Sequence, residues 1–169
     1  MRAMGKAAFI VAMLAAAYAG CAGLAGAARA QGAATPGVLA SAQFSDDPDL
    51  RCDITEVKRL SGDVLIVRFR LVDTQGQSGG GLTASTTPKQ ITWSGGWNEF
   101  YVIDPAENKK YQVLTDSEGK YIADIRDTYF KPGDQRLFWA KFPAPPATST
   151  KVSVTIAKFA PFDDVPVAQ

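Results

Sequence analysis

The residues of this chain that could do chemistry do not form a recognisable catalytic motif. The sequence contains no histidine, which excludes Ser-His-Asp and Cys-His catalysis and removes the commonest transition-metal ligand. Ser117 and Lys120 match the S-x-x-K spacing of penicillin-recognising enzymes, but that motif requires both residues on one helical turn. Gly119 and the flanking strand-like sequence predict a hairpin turn instead, so we expect no catalytic residue and no cofactor.

Two acidic clusters are candidates for metal binding. Asp46, Asp47 and Asp49 lie near the start of the predicted domain, and Asp163 and Asp164 lie near its end. Calcium takes about six to eight oxygen ligands, and these carboxylates could supply most of them if the two ends met. Their spacing is not that of an EF-hand, so we favour solvated charge and predict no metal site.

Aromatic residues and a glycine-rich loop are the candidates for binding. Trp93 and Trp97 flank a Ser-Gly-Gly segment, and Tyr101 follows on the next predicted strand. Exposed rings can stack on sugars or anchor a protein partner, although packing in the core is the interpretation we favour. The glycines lack the ending of a phosphate-binding loop and open no helix. The candidate surface comprises Trp93, Trp97, Tyr101, Gly79, Gly80 and Gly81.

The first residues indicate export. Arg2 and Lys6 precede a run, residues 7–19, without any charged side chain. Such a run is shorter than the roughly 18 residues that a membrane-spanning helix needs, and it is typical of a secretory signal peptide. No later segment is apolar enough to span a membrane, so we expect no span in the mature protein.

Two processing sites remain open. Residues 18–21 resemble the lipobox of bacterial lipoproteins, in which residues 1–20 are removed and Cys21 is acylated. Ala28 and Ala30 instead form a small-x-small signal that would remove residues 1–30 and release a protein beginning at Gln31. We favour the lipid anchor, which places the protein in the cell envelope, attached to the membrane and facing the periplasm or the surface. The alternative is a soluble periplasmic or secreted protein.

Charge and cysteine usage limit the partners. Basic and acidic residues nearly balance and form no basic block, which argues against nucleic acid as a partner. If Cys21 is acylated or removed, Cys52 has no partner within the chain. We expect its thiol to be buried, because free cysteine is among the most buried residue types.

The rest of the chain divides into a tether and one all-β domain. Residues 21–49 are rich in Ala, Gly, Ser, Pro and Asp and predict a flexible tether. From about residue 50 the pattern becomes period two, most clearly at 64–71, where Leu65, Val67, Phe69 and Leu71 share one face. Further strands are predicted at 90–93, 97–103, 109–114, 120–125, 135–142 and 151–158, with turns at 104–108, 116–119 and 131–134. About seven or eight short strands predict a β-sandwich over residues 50–169, with a small β-barrel as the alternative.

Several segments also resemble a known group of proteins. They are residues 98–105, 109–111, 116–120, 137–146 and 161–166. These segments resemble bacterial envelope proteins, some similar to secreted mycobacterial antigens and some carrying a following OmpA-like domain. The resemblance covers about residues 50–167 and implies an immunoglobulin-like sandwich in an envelope setting, with no known chemistry.

The leading hypothesis is a non-catalytic envelope protein that contacts another protein or a cell-wall component. A glycan-binding or carboxylate-dependent glycan-processing domain is the first alternative, which would require paired carboxylates in a cleft. The second alternative is a periplasmic assembly or chaperone-like subunit that recognises strands through an open sheet edge.

Overall fold

The computed structural model describes residues 36–75, 88–93 and 96–169 of the chain. Apart from a short 3-10 turn at Trp97–Glu99, these residues contain no helix. The strands, in chain order, are β1 (Ala40–Phe44), β2 (Asp47–Leu60), β3 (Val64–Asp73), β4 (Lys89–Ile91), β5 (Phe100–Asp104), β6 (Lys109–Gln112), β7 (Ala123–Asp124), β8 (Thr128–Phe130), β9 (Gln135–Pro143), β10 (Lys151–Ile156) and β11 (Phe162–Pro166).

The strands form two principal sheets around one core, with a small third sheet. The larger sheet has the order β1-β2-β3-β9-β7, the second has the order β11-β10-β5-β6, and β4 pairs with β8. All of these strand pairs are antiparallel. The sheets are not closed into a barrel, so the predicted all-β sandwich is confirmed over its barrel alternative.

Strand β3 lies at the centre of the larger sheet, and its residues alternate between two environments. The inward side chains, each at most 1% exposed, are Leu65, Val67, Phe69 and Leu71. On the outward face Ile66 is buried, whereas Arg68 is exposed. The period-two pattern therefore predicts the inward face correctly, and it also predicts an outward face that is covered at one end.

The core is filled from both principal sheets. In β9, the ring of Phe138 stacks on Phe69 with centroids 5.6 Å apart. In β10, Val152, Val154 and Ile156 alternate inward as predicted and are at most 2% exposed. Each such burial stabilises the fold by roughly 1.5–3 kcal/mol, so the alternation determines which face turns inward.

The predicted turn at 131–134 shows how local sequence sets the chain path. Gly133 has a φ of 83°, and the Asp134 N–H donates to the Lys131 carbonyl at 2.9 Å. A type II turn requires a positive φ at its third residue and favours proline at its second, which is Pro132. Chain reversals also occur at the predicted positions 104–108 and 116–119.

The folded region begins earlier than the composition predicts. Strands β1 and β2 occupy much of residues 40–49, which were assigned to the tether, so the domain start is corrected from residue 50. The inward residues Ala40 and Ala42 pack against the core beside β2. Small residues that alternate with Ser and Gln produce no clear hydrophobic period, which explains the error.

The predicted extended tail is also part of the sheets. Strand β11 pairs with β10, and the chain then continues to Val167, whose N–H donates to the Thr150 carbonyl at 2.9 Å. The Ala168 N–H donates to the Val57 carbonyl at 2.8 Å, and its carbonyl accepts from the Arg59 N–H at 2.9 Å. Residues 167 and 168 therefore connect the residue before β10 in one principal sheet to β2 in the other.

Candidate binding surface

Trp93, the first of the predicted aromatic residues, supports a neighbouring segment. Its half-buried ring packs edge-on against Phe100 and Phe138, with centroid distances of 5.3 and 6.1 Å. The indole Nε1 donates to the Arg126 carbonyl at 3.0 Å, and the backbone N–H donates to Asp127 Oδ1 at 3.1 Å. Trp93 thus fixes the segment that leads into β8 against the core.

Trp97 and Tyr101 are also engaged within the domain. The Trp97 ring stacks on Tyr121 with centroids 4.5 Å apart and packs on the core ring of Phe100. Over the Tyr101 ring lies Lys110 Nζ, 3.8 Å from the centroid, in a cation–π contact. The remaining predicted residues, Gly79, Gly80 and Gly81, lie outside the described residues.

The described ends of that glycine-rich loop are held by an ion cluster, which we call the loop-base cluster: Lys89, Asp47, Asp49 and Asp73. Lys89 Nζ lies 2.7 Å from Asp47 Oδ2, 3.6 Å from Asp49 Oδ2 and 3.9 Å from Asp73 Oδ2. Asp73 ends β3 and Lys89 begins β4, so the contact spans the loop between these strands. The cluster was not predicted, because the sequence does not show which lysine meets the acidic residues.

Four of the five residues in the two predicted acidic clusters, all but Asp163, lie within 4 Å of a lysine ammonium group. Besides the loop-base cluster, Asp46 Oδ2 lies 2.7 Å from Lys158 Nζ, and Asp164 lies 3.6 Å from Lys151. Within the described residues, no group of three or more acidic or cysteine side chains is arranged to hold a metal ion. These carboxylates therefore serve as ion-pair partners in this structure.

A surface that the sequence analysis did not identify lies beside β8 and β9. Tyr129 is 63% exposed and Leu137 is 71% exposed, the highest values among the large hydrophobic residues described. Both line one open depression of about 350 Å³, which we call the Tyr129–Leu137 depression. The alternation in β9 was the available signal, because an inward Phe138 requires an outward Leu137.

The rim of this depression carries charged side chains of both signs, and its net charge is small. Arg126 and Arg136 both line it, and they lie 3.0 Å from Asp124 and 3.4 Å from Asp134 respectively. Asp127 adds a further carboxylate to the lining. Apolar side chains, guanidinium donors and carboxylate acceptors therefore lie side by side.

Asp53 is the most deeply buried of the ion-paired carboxylates outside the loop-base cluster. It is 1% exposed and accepts hydrogen bonds from Ser41 Oγ at 2.7 Å, Arg51 Nε at 2.8 Å and Arg70 at 3.0 Å. Burial alone would raise the pKa of Asp53, but these hydrogen bonds outweigh it and hold the pKa below the ordinary value. Asp53 is therefore a structural anion that links β1, β2 and β3.

Of the two cysteines, the structure describes Cys52. Cys52 is fully buried, as predicted, and this burial, with the nearby charge of Asp53, raises the pKa of its thiol well above the ordinary value. Cys21 and the signal peptide, whether residues 1–20 or 1–30, lie outside the described residues. In the part of the chain that is described, no helix is long and apolar enough to cross a membrane.

No family model matches the sequence, and no curated protein or solved structure shows a significant match to the chain. The resemblance to immunoglobulin-like envelope proteins therefore stays a prediction. The functional argument depends on the surface chemistry of the domain itself.

Proposed function

We propose that this chain is a non-catalytic protein of the cell envelope whose β-sandwich binds an envelope component through the Tyr129–Leu137 depression. One observation carries the proposal: the two most exposed large hydrophobic side chains described line the same concavity. Single exposed apolar residues are ordinary, but paired ones in a concave site with polar neighbours are typical of binding sites.

The residue types of the chain and the ion pairs of its buried carboxylates support a non-catalytic role. The chain contains no histidine, and the buried Asp53 and Asp73 are committed to contacts with arginine or lysine. A glycan-processing enzyme needs a carboxylic acid that can reach its substrate and exchange a proton. Asp47 and Asp49, which flank Lys89, are poor candidates because each lies within 4 Å of its ammonium group.

The proposal of a strand-capturing chaperone receives less support. Strand β1 pairs with β2 along residues 47–54. Beyond that, Ala168 forms backbone hydrogen bonds with Val57 and Arg59 of β2. The exposed edge strand β6 carries Lys109 and Lys110, and lysine on an edge discourages strand addition. Binding through a surface of side chains is therefore favoured over binding through the backbone of an open sheet edge.

The envelope setting depends on the N-terminal sequence pattern and on Cys21. Intact mass measurement of the membrane-extracted protein tests it. A diacylglyceryl mass on a chain beginning at Cys21 would support the lipid-anchored form, and a mass matching a chain from Gln31 would support the released form. A cytosolic protein that retains residues 1–30 would contradict both.

The binding role is tested with the processed protein and envelope fractions of the bacterium that produces it. A Tyr129→Ser, Leu137→Ser double variant should retain less than about a tenth of wild-type binding to cell-wall or membrane fractions, because it removes the apolar floor. Leu60→Ser is the matched control, since Leu60 is 38% exposed and is not among the residues that line the depression. Equal binding by the double variant and the wild type would reject this surface.

A further inference from the structure

We infer that the Tyr129–Leu137 depression binds a neutral saccharide. The inference rests on the proposed binding role of this surface and adds the chemical class of the ligand. A sugar ring has an apolar C–H face and a perimeter of hydroxyl groups, so it needs an apolar platform surrounded by hydrogen-bonding groups. The depression supplies both.

The platform is formed by neighbouring strands. Tyr129 pairs with Gln90 in the β4–β8 sheet, whereas Leu137 lies opposite Arg70 in the larger sheet. An exposed tyrosine offers a flat, rigid ring at low cost in conformational entropy, and its hydroxyl group provides a polar edge. Leucine extends the apolar area beyond the ring.

The polar groups of the rim match hydroxyl groups. Arg126 and Arg136 contribute donors, and Asp127 contributes a carboxylate acceptor. A hydroxyl group both donates and accepts, so it can bridge an arginine and an aspartate at the same time. Planar donors and acceptors around an aromatic ring therefore suit a polyhydroxyl ligand.

Charge decides between a neutral ligand and an acidic one. Of the charged residues that line the depression, Asp127 is acidic, and Arg126 and Arg136 each lie beside a carboxylate outside the lining, Asp124 and Asp134, so the site carries no large excess of positive charge. Because a carboxylate already lies beside each arginine, an anionic ligand would gain less attraction here than at two unpaired arginines. A neutral saccharide can bind the same groups without separating either ion pair.

The size of the depression favours a small ligand over the broad surface of a protein partner. A volume of about 350 Å³ lies at the lower end of the range for small-molecule sites. A stable protein interface buries roughly 800 Å² on each partner, which needs a much wider apolar area than two side chains provide. A few sugar units of a longer glycan fit this scale.

One wall of the site is held in place by hydrogen bonds within the domain. Trp93 fixes the segment at Arg126 and Asp127 through its indole and backbone N–H groups, and Thr128 Oγ1 donates to the Arg126 carbonyl at 2.9 Å. A prearranged wall loses little conformational entropy when a ligand binds. Trp93 therefore holds this wall of the depression against the core.

The experiment is a titration of the processed, isotope-labelled protein with chitotriose and, separately, with maltotriose, followed by NMR chemical shifts. We expect at least one of the two to shift the signals of residues 126–129 and 136–138. Tyr129→Ala should weaken that binding by about tenfold or more, whereas Tyr129→Phe, which keeps the ring, should stay within about threefold of wild type. Leu60→Ala is the control and should bind as wild type does.

The outcomes separate this inference from the proposed function. If neither sugar shifts these signals, or if Tyr129→Ala binds as well as wild type, the saccharide inference is overturned. A hexaglutamate peptide serves as the competing probe, and shifts caused by it alone would overturn the inference in favour of an acidic ligand. The binding role itself would fall only if the double variant also retained its binding to envelope fractions.

Discussion

The ammonium group of Lys89 lies 2.7 Å from a carboxylate oxygen of Asp47, although the two residues belong to different sheets. The same ammonium group approaches Asp73, whose side chain is fully buried and whose Oδ2 atom has no hydrogen-bond partner within the described residues. Lys89 therefore supplies the positive charge nearest to a buried carboxylate.

Replacing this lysine tests the cluster. Lys89→Met should lower the free energy of unfolding by about 2–3 kcal/mol, because it leaves the buried Asp73 without its counter-charge. Urea denaturation measures the change. Adding Asp73→Asn should restore much of the loss, since the Gln75 N–H can still bond to Oδ1. Lys120→Met, at an exposed position, should change stability by less than about 0.5 kcal/mol.

Asp53 predicts a dependence of stability on pH. Its folded pKa is lowered, so its stabilising contribution is complete above the unfolded value of about 3.9 and is lost as the pH falls through the folded pKa. Asp53→Asn should therefore be less stable than wild type by about 1–3 kcal/mol at pH 7, and the difference should shrink below about pH 4. A difference that stayed constant down to pH 2 would contradict the ion pairs with Arg51 and Arg70.

Arg59 should contribute more to stability than the exposed Arg68 of the same sheet. Its guanidinium group donates to three carbonyl groups in the β9–β10 connection, those of Pro145, Pro146 and Ser149. Arg59→Met should cost about 2 kcal/mol of stability, because it removes the side-chain donor from the carbonyl groups of Pro145 and Ser149, whereas the Pro146 carbonyl still accepts from the Ser149 N–H. Arg68→Met is the matched control and should cost less than about 1 kcal/mol, because the pair of Arg68 with Glu56 is exposed. Thermal unfolding of both variants provides the comparison.

The thiol of Cys52 should be unreactive in the folded domain. Burial and the raised pKa of its thiol both oppose formation of the reactive thiolate. A thiol-specific reagent at pH 8 should label Cys52 only after denaturant is added, and mass spectrometry detects the product. Rapid labelling under native conditions would show that the core opens locally near β2.

The parts of the fold that the sequence predicts are those with a strong local signal. The alternation at Leu65, Val67 and Phe69 predicts an inward face because apolar residues at period two leave few other arrangements. Likewise, Pro132 and Gly133 predict a tight turn because each restricts its own backbone dihedral angles. Both features follow from interactions within a few residues.

Features that depend on distant partners were not predicted. Strand β1 has the small inward residues Ala40 and Ala42, so its assignment requires knowing that β2 is available to pair with it. The contacts of Lys89 with Asp47 and Asp49 join residues about 40 positions apart and leave no local pattern. Tyr129 and Leu137 become a candidate site only when β8 and β9 bring them to one depression.

The pairing of Ala168 with β2 has a consequence for biogenesis. Ala168 lies more than a hundred positions after Val57, so the residues that cover this part of the β2 edge are synthesised long after β2 itself. Until those residues are made, backbone N–H and C=O groups on part of the β2 edge are unpaired. They can pair with other chains, and closure of the sandwich is delayed. A variant that lacks the pairing segment at residues 167 and 168 should therefore be more sensitive to protease than wild type.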